Sequence, residues 1–265
     1  MRARLLETYA FIFARPRFYR FNRFVFESSL RGLGLLNYRS TIASGELWFL
    51  ERHLKGKKGI IVFDVGANVG EYARQVLKFA DDAQVHCFEP HPVTFSHLVA
   101  NVGGKVIASQ VAVGRDAGNV VLYDYADQDG SQHASILKGV FESLHRSQSV
   151  CHEVEAITLA SYCEKHSIPG IDLLKIDTEG SELSALRGLG GYLRPDFVKR
   201  IHFEFNEMNV LGRVFFKDFW DTLSRNYRIY RLLRGGVVEI KNYSALHCEL
   251  FAYQNIAAVA KELDG

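Results

Sequence analysis

Apolar residues recur along this chain at two different periods, and the change from one to the other divides it. In the first forty residues the period is helical. Leu5, Tyr9 and Phe13 fall on one stripe, and Pro16 ends that helix. Phe18, Phe21 and Val25 make a second stripe. Arg20, Arg23, Glu27 and Arg31 occupy its other face, with Arg23–Glu27 and Glu27–Arg31 at i,i+4. Gly32 and Gly34 break this helix, and a third is predicted over Glu46–Leu54, with Leu47, Leu50 and Leu54 inward. Lys55 to Gly59 reads as a loop.

From Ile60 onward short apolar runs alternate with helical stripes. Ile60–Val65 is almost continuously apolar, as in a strand buried on both faces. Helices are predicted near 71–79, 93–101, 159–166, 182–189 and 215–225. Strands are predicted near 85–88, 106–113, 154–157, 171–176 and 201–205. Asn119–Tyr123 reads as the return strand of a hairpin after the turn 114–118. The polar stretch 126–149 reads as a loop excursion, Tyr227–Leu233 and Val237–Ile240 as a hairpin, and Glu249–Tyr253 as a late strand. The pattern predicts an α/β fold, a doubly wound, mostly parallel sheet with helices on both faces. Residues 1–54 form an N-terminal helical extension and residues 55–265 one domain. Ligands in such sheets bind at the carboxyl ends of the strands.

Composition adds limits. With 265 residues, 48% hydrophobic and 23% charged, the chain is globular and long enough to bury a core without staples. Cys87, Cys151, Cys163 and Cys248 lie far apart, without metal-ligand spacing, and read as reduced thiols. No apolar run reaches the ~18 residues of a membrane span, and no signal-peptide pattern precedes the domain, so a cytoplasmic location is expected. The net charge of +2 hides an asymmetry. Residues 1–40 hold eight Arg, no Lys, two Glu and nine aromatics, which gives them +6 and leaves −4 for residues 41–265.

Three strand ends carry candidate chemistry. Strand one runs into Asp64-Val-Gly-Ala-Asn-Val-Gly70, where Gly66 and Gly70 allow a tight turn and close approach of a ligand. Asn68 stands where a dinucleotide fingerprint has glycine, and Asp64 would repel phosphates, so the turn suits a cationic amine. Strand two ends in Phe88-Glu89-Pro90. Glu89 lies 23 residues after Gly66, near the ~20-residue offset of an acid that accepts from a ribose diol. The predicted strand 171–176 delivers Asp177 and Glu179 to its mouth in Lys175-Ile-Asp-Thr-Glu-Gly-Ser-Glu182. Glu182 reads as a cap of the next helix. Glu204, between Phe203 and Phe205, needs a partner, and Lys175 is one candidate. No spacing suggests a metal site, and Asp127 to Gly130 lacks the rest of a calcium loop.

Phe63-Asp-Val-Gly-Ala-Asn-Val-Gly-Glu71, Phe88-Glu-Pro90, Val111-Ala-Val-Gly114 and Asp172-Leu-Leu-Lys-Ile-Asp-Thr-Glu-Gly-Ser-Glu182 together resemble the FkbM-type methyltransferases, over about Ile60 to Phe205. Thr178 departs from the family's more frequent Val. The resemblance implies the class I methyltransferase (Rossmann-like) fold, with seven strands of which the last is antiparallel. It implies S-adenosylmethionine as cofactor and a hydroxyl acceptor, often on a sugar. The cofactor then lies on Asp64, Gly66, Ala67, Asn68, Gly70, Glu89, Pro90 and Asp177, with Ala112 and Val113 over the adenine.

Methyl transfer is an in-line displacement that needs the acceptor oxygen ~3–3.5 Å from the methyl carbon. A hydroxyl benefits from a general base by about 10²–10⁴-fold. Asp177 or Glu179 is the leading candidate, then Glu204 or His133, the last in the polar segment Gly130–Ile136. The predicted activity is O-methylation of a sugar hydroxyl in a glycan or glycolipid. The alternatives are a polyketide or lipid hydroxyl, or a silent nucleoside-binding scaffold. The basic aromatic segment 1–40 suits either peripheral contact with an anionic membrane or packing onto the domain or a second subunit. No base-reading motif points to nucleic acid.

Overall fold

The period change near Ile60 marks where helices give way to alternating strands and helices. The structure, a computed structural model, describes residues 1–125, 135–136 and 149–263. Helices α1 (Arg2–Phe13), α2 (Tyr19–Gly32), α3 (Thr41–Ser44) and α4 (Glu46–Leu54) come first. Next are β1 (Ile61–Val65), α5 (Glu71–Phe79), β2 (Gln84–Phe88), α6 (Pro92–Val102), β3 (Ile107–Ser109), β4 (Ala112–Val113), β5 (Gly118–Tyr125) and β6 (Ser149–Ile157). The chain continues through α7 (Leu159–Lys165), β7 (Leu173–Ile176), α8 (Glu182–Arg187), β8 (Arg200–Phe205), α9 (Met208–Gly212) and α10 (Phe216–Leu223). It closes with β9 (Tyr227–Leu233), β10 (Gly236–Glu239), α11 (Ala245–Cys248) and β11 (Gln254–Ala260).

Eight strands make one sheet in the order β10-β9-β11-β8-β7-β1-β2-β3. Its centre is parallel, and the last strand, β11, runs antiparallel to both β8 and β9. This is the doubly wound, class I methyltransferase order. The expected seven strands become eight because the turn at Arg234-Gly235 folds β10 back along β9. Successive side chains of each central strand point to opposite faces. Phe63, Val65, Leu174, Ile176, Phe203 and Phe205 meet α7, α8 and α10 in one core. Val62, Val85, Leu173 and Ala257 meet α4, α5 and α6 in the other.

Two expected elements differ. The region 106–113 does not pair with 119–123. It splits into β3, which joins the large sheet, and β4, which pairs with β6 in a small sheet ordered β4-β6-β5. β6 offers β5 a nine-residue antiparallel partner, longer than the local hairpin could supply. The late strand is not Glu249–Tyr253 but β11. Glu249 is turned away to accept from the Phe216 and Lys217 N–H groups at the start of α10 (2.8 and 2.9 Å) and from the Tyr243 hydroxyl (2.7 Å). The small apolar run Ile256–Ala260 enters the sheet instead and is buried on both faces.

The N-terminal residues behave in two ways. Leu35 is fully buried and bridges to Gln254, Leu36 N–H donates to the Tyr253 carbonyl, and Phe49, Leu50 and Leu54 of α4 join the second core. Helix α2, by contrast, buries Leu30 alone. No helix among the described residues is long and apolar enough to cross a membrane.

Candidate active site

The site begins with the turn between β1 and α5. Gly66 and Ala67 both donate to the Phe88 carbonyl (2.9 and 3.0 Å), which pulls the turn onto the end of β2. Gly66 has φ +77°, and a Cβ there would lie 1.7 Å from the Asp177 carbonyl oxygen at the end of β7. Only glycine lets these two strand ends come so close. Asn68 takes a left-handed conformation, φ +48°, which Asn tolerates, and its Oδ1 accepts from the Val69 N–H (2.7 Å). That geometry accounts for Asn in a glycine-like place. Gly70, φ +84°, starts α5. A Cβ there would meet Val102 and Leu98 of α6 at 2.6 and 2.8 Å.

Glu89 closes the loop. One carboxylate oxygen accepts from the Asn68 N–H and the other from the His91 N–H, both at 2.9 Å. Burial pushes its carboxyl up to about 7, against those two backbone hydrogen bonds. Asp64, 1% exposed, is likewise pushed up to about 7 by burial, with Lys175 opposing the rise. Its Oδ2 has no hydrogen-bond partner among the described residues.

A cavity of ≈ 700 Å³ opens at the carboxyl ends of β1, β2, β7 and β8. Asp64, Gly66, Ala67, Asn68, Glu89, Pro90, Ala112, Val113, Asp177, Glu179 and Glu204 all line it. Gly70 is not in its wall and serves the contact between α5 and α6. His133 lies outside the described residues. The described end of its segment does reach the cavity. Ile136 lines it, and the Ser135 hydroxyl donates to the Glu179 carbonyl (2.8 Å).

The donors and acceptors present fit S-adenosylmethionine. A buried carboxylate oxygen without a partner suits an ammonium group, the bare Gly66 backbone admits close contact, and Glu89 keeps lone pairs for a diol. Bound there, that cofactor supplies the electrophilic methyl group.

The other end of the cavity is acidic. Lys175, 3% exposed, sits 3.1 Å from Asp177. Burial opposes its charge, but Asp177, Glu204 and Glu46 outweigh that and hold the ammonium above its usual value. Burial, then the Asp177 charge, raises the Glu204 carboxyl well above the carboxylate range. Glu182 is pushed up to about 7 by burial, and its Oε1 accepts from the Thr178 N–H, the Thr178 hydroxyl and the Gly180 N–H (3.0, 3.3 and 2.9 Å). Glu182 therefore fixes the turn that carries Asp177 and Glu179, and Thr178 adds a hydroxyl to that anchor where Val could not.

Sequence reasoning missed a further set of residues here. His202, two before Glu204 on the same face of β8, is fully buried, and burial holds it neutral. With its proton on Nε2 it donates to Asn255 Oδ1 (2.9 Å) and accepts from the Tyr72 hydroxyl at Nδ1 (3.2 Å). Asn255 donates in turn to the Tyr253 hydroxyl (3.0 Å). Tyr72, Tyr253, Tyr38 and Glu46 all line the cavity. The available signal was a His alternating with a Glu in an otherwise apolar strand, together with an acid at the start of α4.

The chain is similar to known proteins. Residues 64–230 match the methyltransferase FkbM domain. The chain is 30% identical over 167 residues to 31-O-demethyl-FK506 methyltransferase FkbM of Streptomyces tacrolimicus, covering 53% of this chain and 64% of that one. It is 25% identical over 171 residues to hexuronic acid methyltransferase AglP of Haloferax volcanii, covering 59% and 66%. The chain thus spans just under two thirds of the length of these curated relatives. Among solved structures, precorrin-6y C5,15-methyltransferase of Geobacter metallireducens aligns with a TM-score of 0.43 at 9% identity, covering 86% of this chain and 94% of that one. More than half of the chain matches the family model, and the protein belongs to the FkbM methyltransferase family.

Proposed function

We propose that this protein is an S-adenosylmethionine-dependent O-methyltransferase whose acceptor is a sugar hydroxyl. The observation that carries the reading is the buried Oδ2 of Asp64, unpartnered among the described residues and set in one cavity with the Gly66 turn and Glu89. Asp64 takes the amino group of the cofactor. Glu89, held by Asn68 and His91, accepts from the ribose hydroxyls. Ala112 and Val113, both buried, flank the base.

The acid end handles the acceptor. Lys175 keeps Asp177 in place as an orienting carboxylate. Glu204 sits higher than an ordinary carboxylate and, once deprotonated, takes the hydroxyl proton. The Tyr38 and Tyr253 rings, 5.9 Å apart and near perpendicular, line the same end. They offer apolar faces to the C–H face of a sugar, while its hydroxyls meet the acids.

The hexuronic acid methyltransferase relative supports a sugar acceptor. The relative named for demethyl-FK506 supports a second reading, a non-sugar hydroxyl. Incubation with isotopically labelled S-adenosylmethionine and a panel of glycans and non-sugar alcohols, read by mass spectrometry, separates the two. Label on a glycan oxygen is the expected result. Label confined to non-sugar alcohols supports the second reading, and no label on any acceptor removes the activity.

A further inference from the structure

We propose that α1 and α2 dock the protein on an anionic lipid surface. Phe11 is 77% exposed, Phe24 67%, Leu5 65% and Phe26 56%, within one pair of short helices. Soluble surfaces carry single apolar residues without consequence, but a concentration of this kind marks an interaction site. The helices do not need these side chains to hold together. Their joint is made by Phe13, whose ring lies 4.8 Å from Tyr9, 5.1 Å from Phe18 and 5.6 Å from Phe21. Asn22 completes it, accepting from the Tyr9 hydroxyl (2.6 Å) and donating to the Phe13 carbonyl (2.8 Å). The outward aromatics are left over from that packing.

The charge selects the partner. Residues 1–40 hold eight Arg against two Glu. The Arg15 guanidinium lies 5.9 Å over the ring of the outward Phe11, so cation and exposed aromatic share one surface. A second copy meeting this face symmetrically would bring +6 against +6. A bilayer with anionic headgroups satisfies both halves, with Arg at the phosphates and aromatics at the acyl boundary. Four residues beyond α2, the same stretch of chain enters the cavity wall at Leu36. Docking therefore anchors the protein beside its own site.

The full chain is sedimented with vesicles of phosphatidylcholine alone or mixed with phosphatidylglycerol. It is expected to pellet with the anionic vesicles only, and to be released by added salt. The Arg17→Gln/Arg20→Gln variant should partition roughly 30-fold more weakly, and Phe11→Ser/Phe24→Ser roughly 100-fold more weakly. These side chains are exposed, so both variants should keep the wild-type melting temperature and S-adenosylmethionine affinity, which separates docking from the reading of the cavity. Failure to pellet with anionic vesicles overturns the proposal. Equal pelleting with both compositions overturns the role of the arginines. Concentration-dependent dimers without vesicle binding overturn it in favour of a second copy.

Discussion

The two ends of the cavity are built by different means. At the cofactor end the parts are local and largely backbone. Gly66, Asn68 and Glu89 lie within 23 residues of one another, and N–H groups fix both oxygens of Glu89. At the proposed acceptor end the parts are side chains from remote stretches. Tyr72 meets His202 across 130 residues, and His202 meets Asn255 across 53. A backbone-built end is rigid and admits one shape, whereas a side-chain-built end can change its acceptor by substitution without disturbing the cofactor.

The largest expected effect probes the rigid end. Gly66→Ala forces a Cβ into the Asp177 carbonyl at a positive φ, which should cost roughly 3 kcal/mol or more of stability. It should also abolish cofactor binding, as read by denaturant unfolding and calorimetry. Gly70→Ala shares the positive φ but meets side chains of Val102 and Leu98 rather than backbone, so it should cost roughly 2–3 kcal/mol and leave cofactor affinity unchanged. Equal losses in the two variants would erase the distinction drawn between these glycines.

Next comes the acceptor end. Glu204→Gln should lower kcat by about 10²–10⁴-fold while S-adenosylmethionine still binds. A fully active variant removes Glu204 as the proton acceptor and returns the role to Asp177 or Glu179. Because the Glu204 carboxyl is raised, wild-type turnover should climb with pH over a range above that of an ordinary carboxylate.

The buried acids also set the pH dependence of stability. Asp64, Glu89 and Glu182 have ordinary values of 3.8 to 4.5 and folded values of about 7. Between those limits the folded state holds more protons than the unfolded one, so stability falls as pH rises. The urea midpoint of the ligand-free protein should therefore be highest near pH 4–5 and decline through pH 7. A midpoint that rises over this window contradicts the assignment. The smallest effect expected is that of Thr178→Val, which removes one hydrogen bond to Glu182. It should cost about 0.5–1 kcal/mol with kcat unchanged.

The same contrast explains what the sequence made legible. A strand-turn-helix with Gly66 and an acid at the next strand end is a local pattern, so the Gly66 turn and its meeting with Glu89 could be read residue by residue. Asp177 and Glu204 were visible as acids where a strand should be apolar. Glu46, His202 and Tyr253 were not, because their meeting depends on α4 packing against β8 and on the placement of β11. That strand was assigned too early, at Glu249–Tyr253, since nothing local shows that Glu249 is occupied with α10. The small sheet was missed for a related reason: β4 and β5 find their common partner, β6, only across residues 126–148.

The central claim is that Glu89 recognises the ribose of S-adenosylmethionine. Calorimetry on wild type and Glu89→Gln, each with S-adenosylhomocysteine and its 2′,3′-dideoxy analogue, tests it as a double cycle. Wild type should prefer the ligand with the diol by about 1.5–3 kcal/mol, and Glu89→Gln, which keeps only a neutral acceptor, should cut that preference to about 1 kcal/mol or less. A Glu89→Gln protein that still separates the two ligands as wild type does would contradict the account.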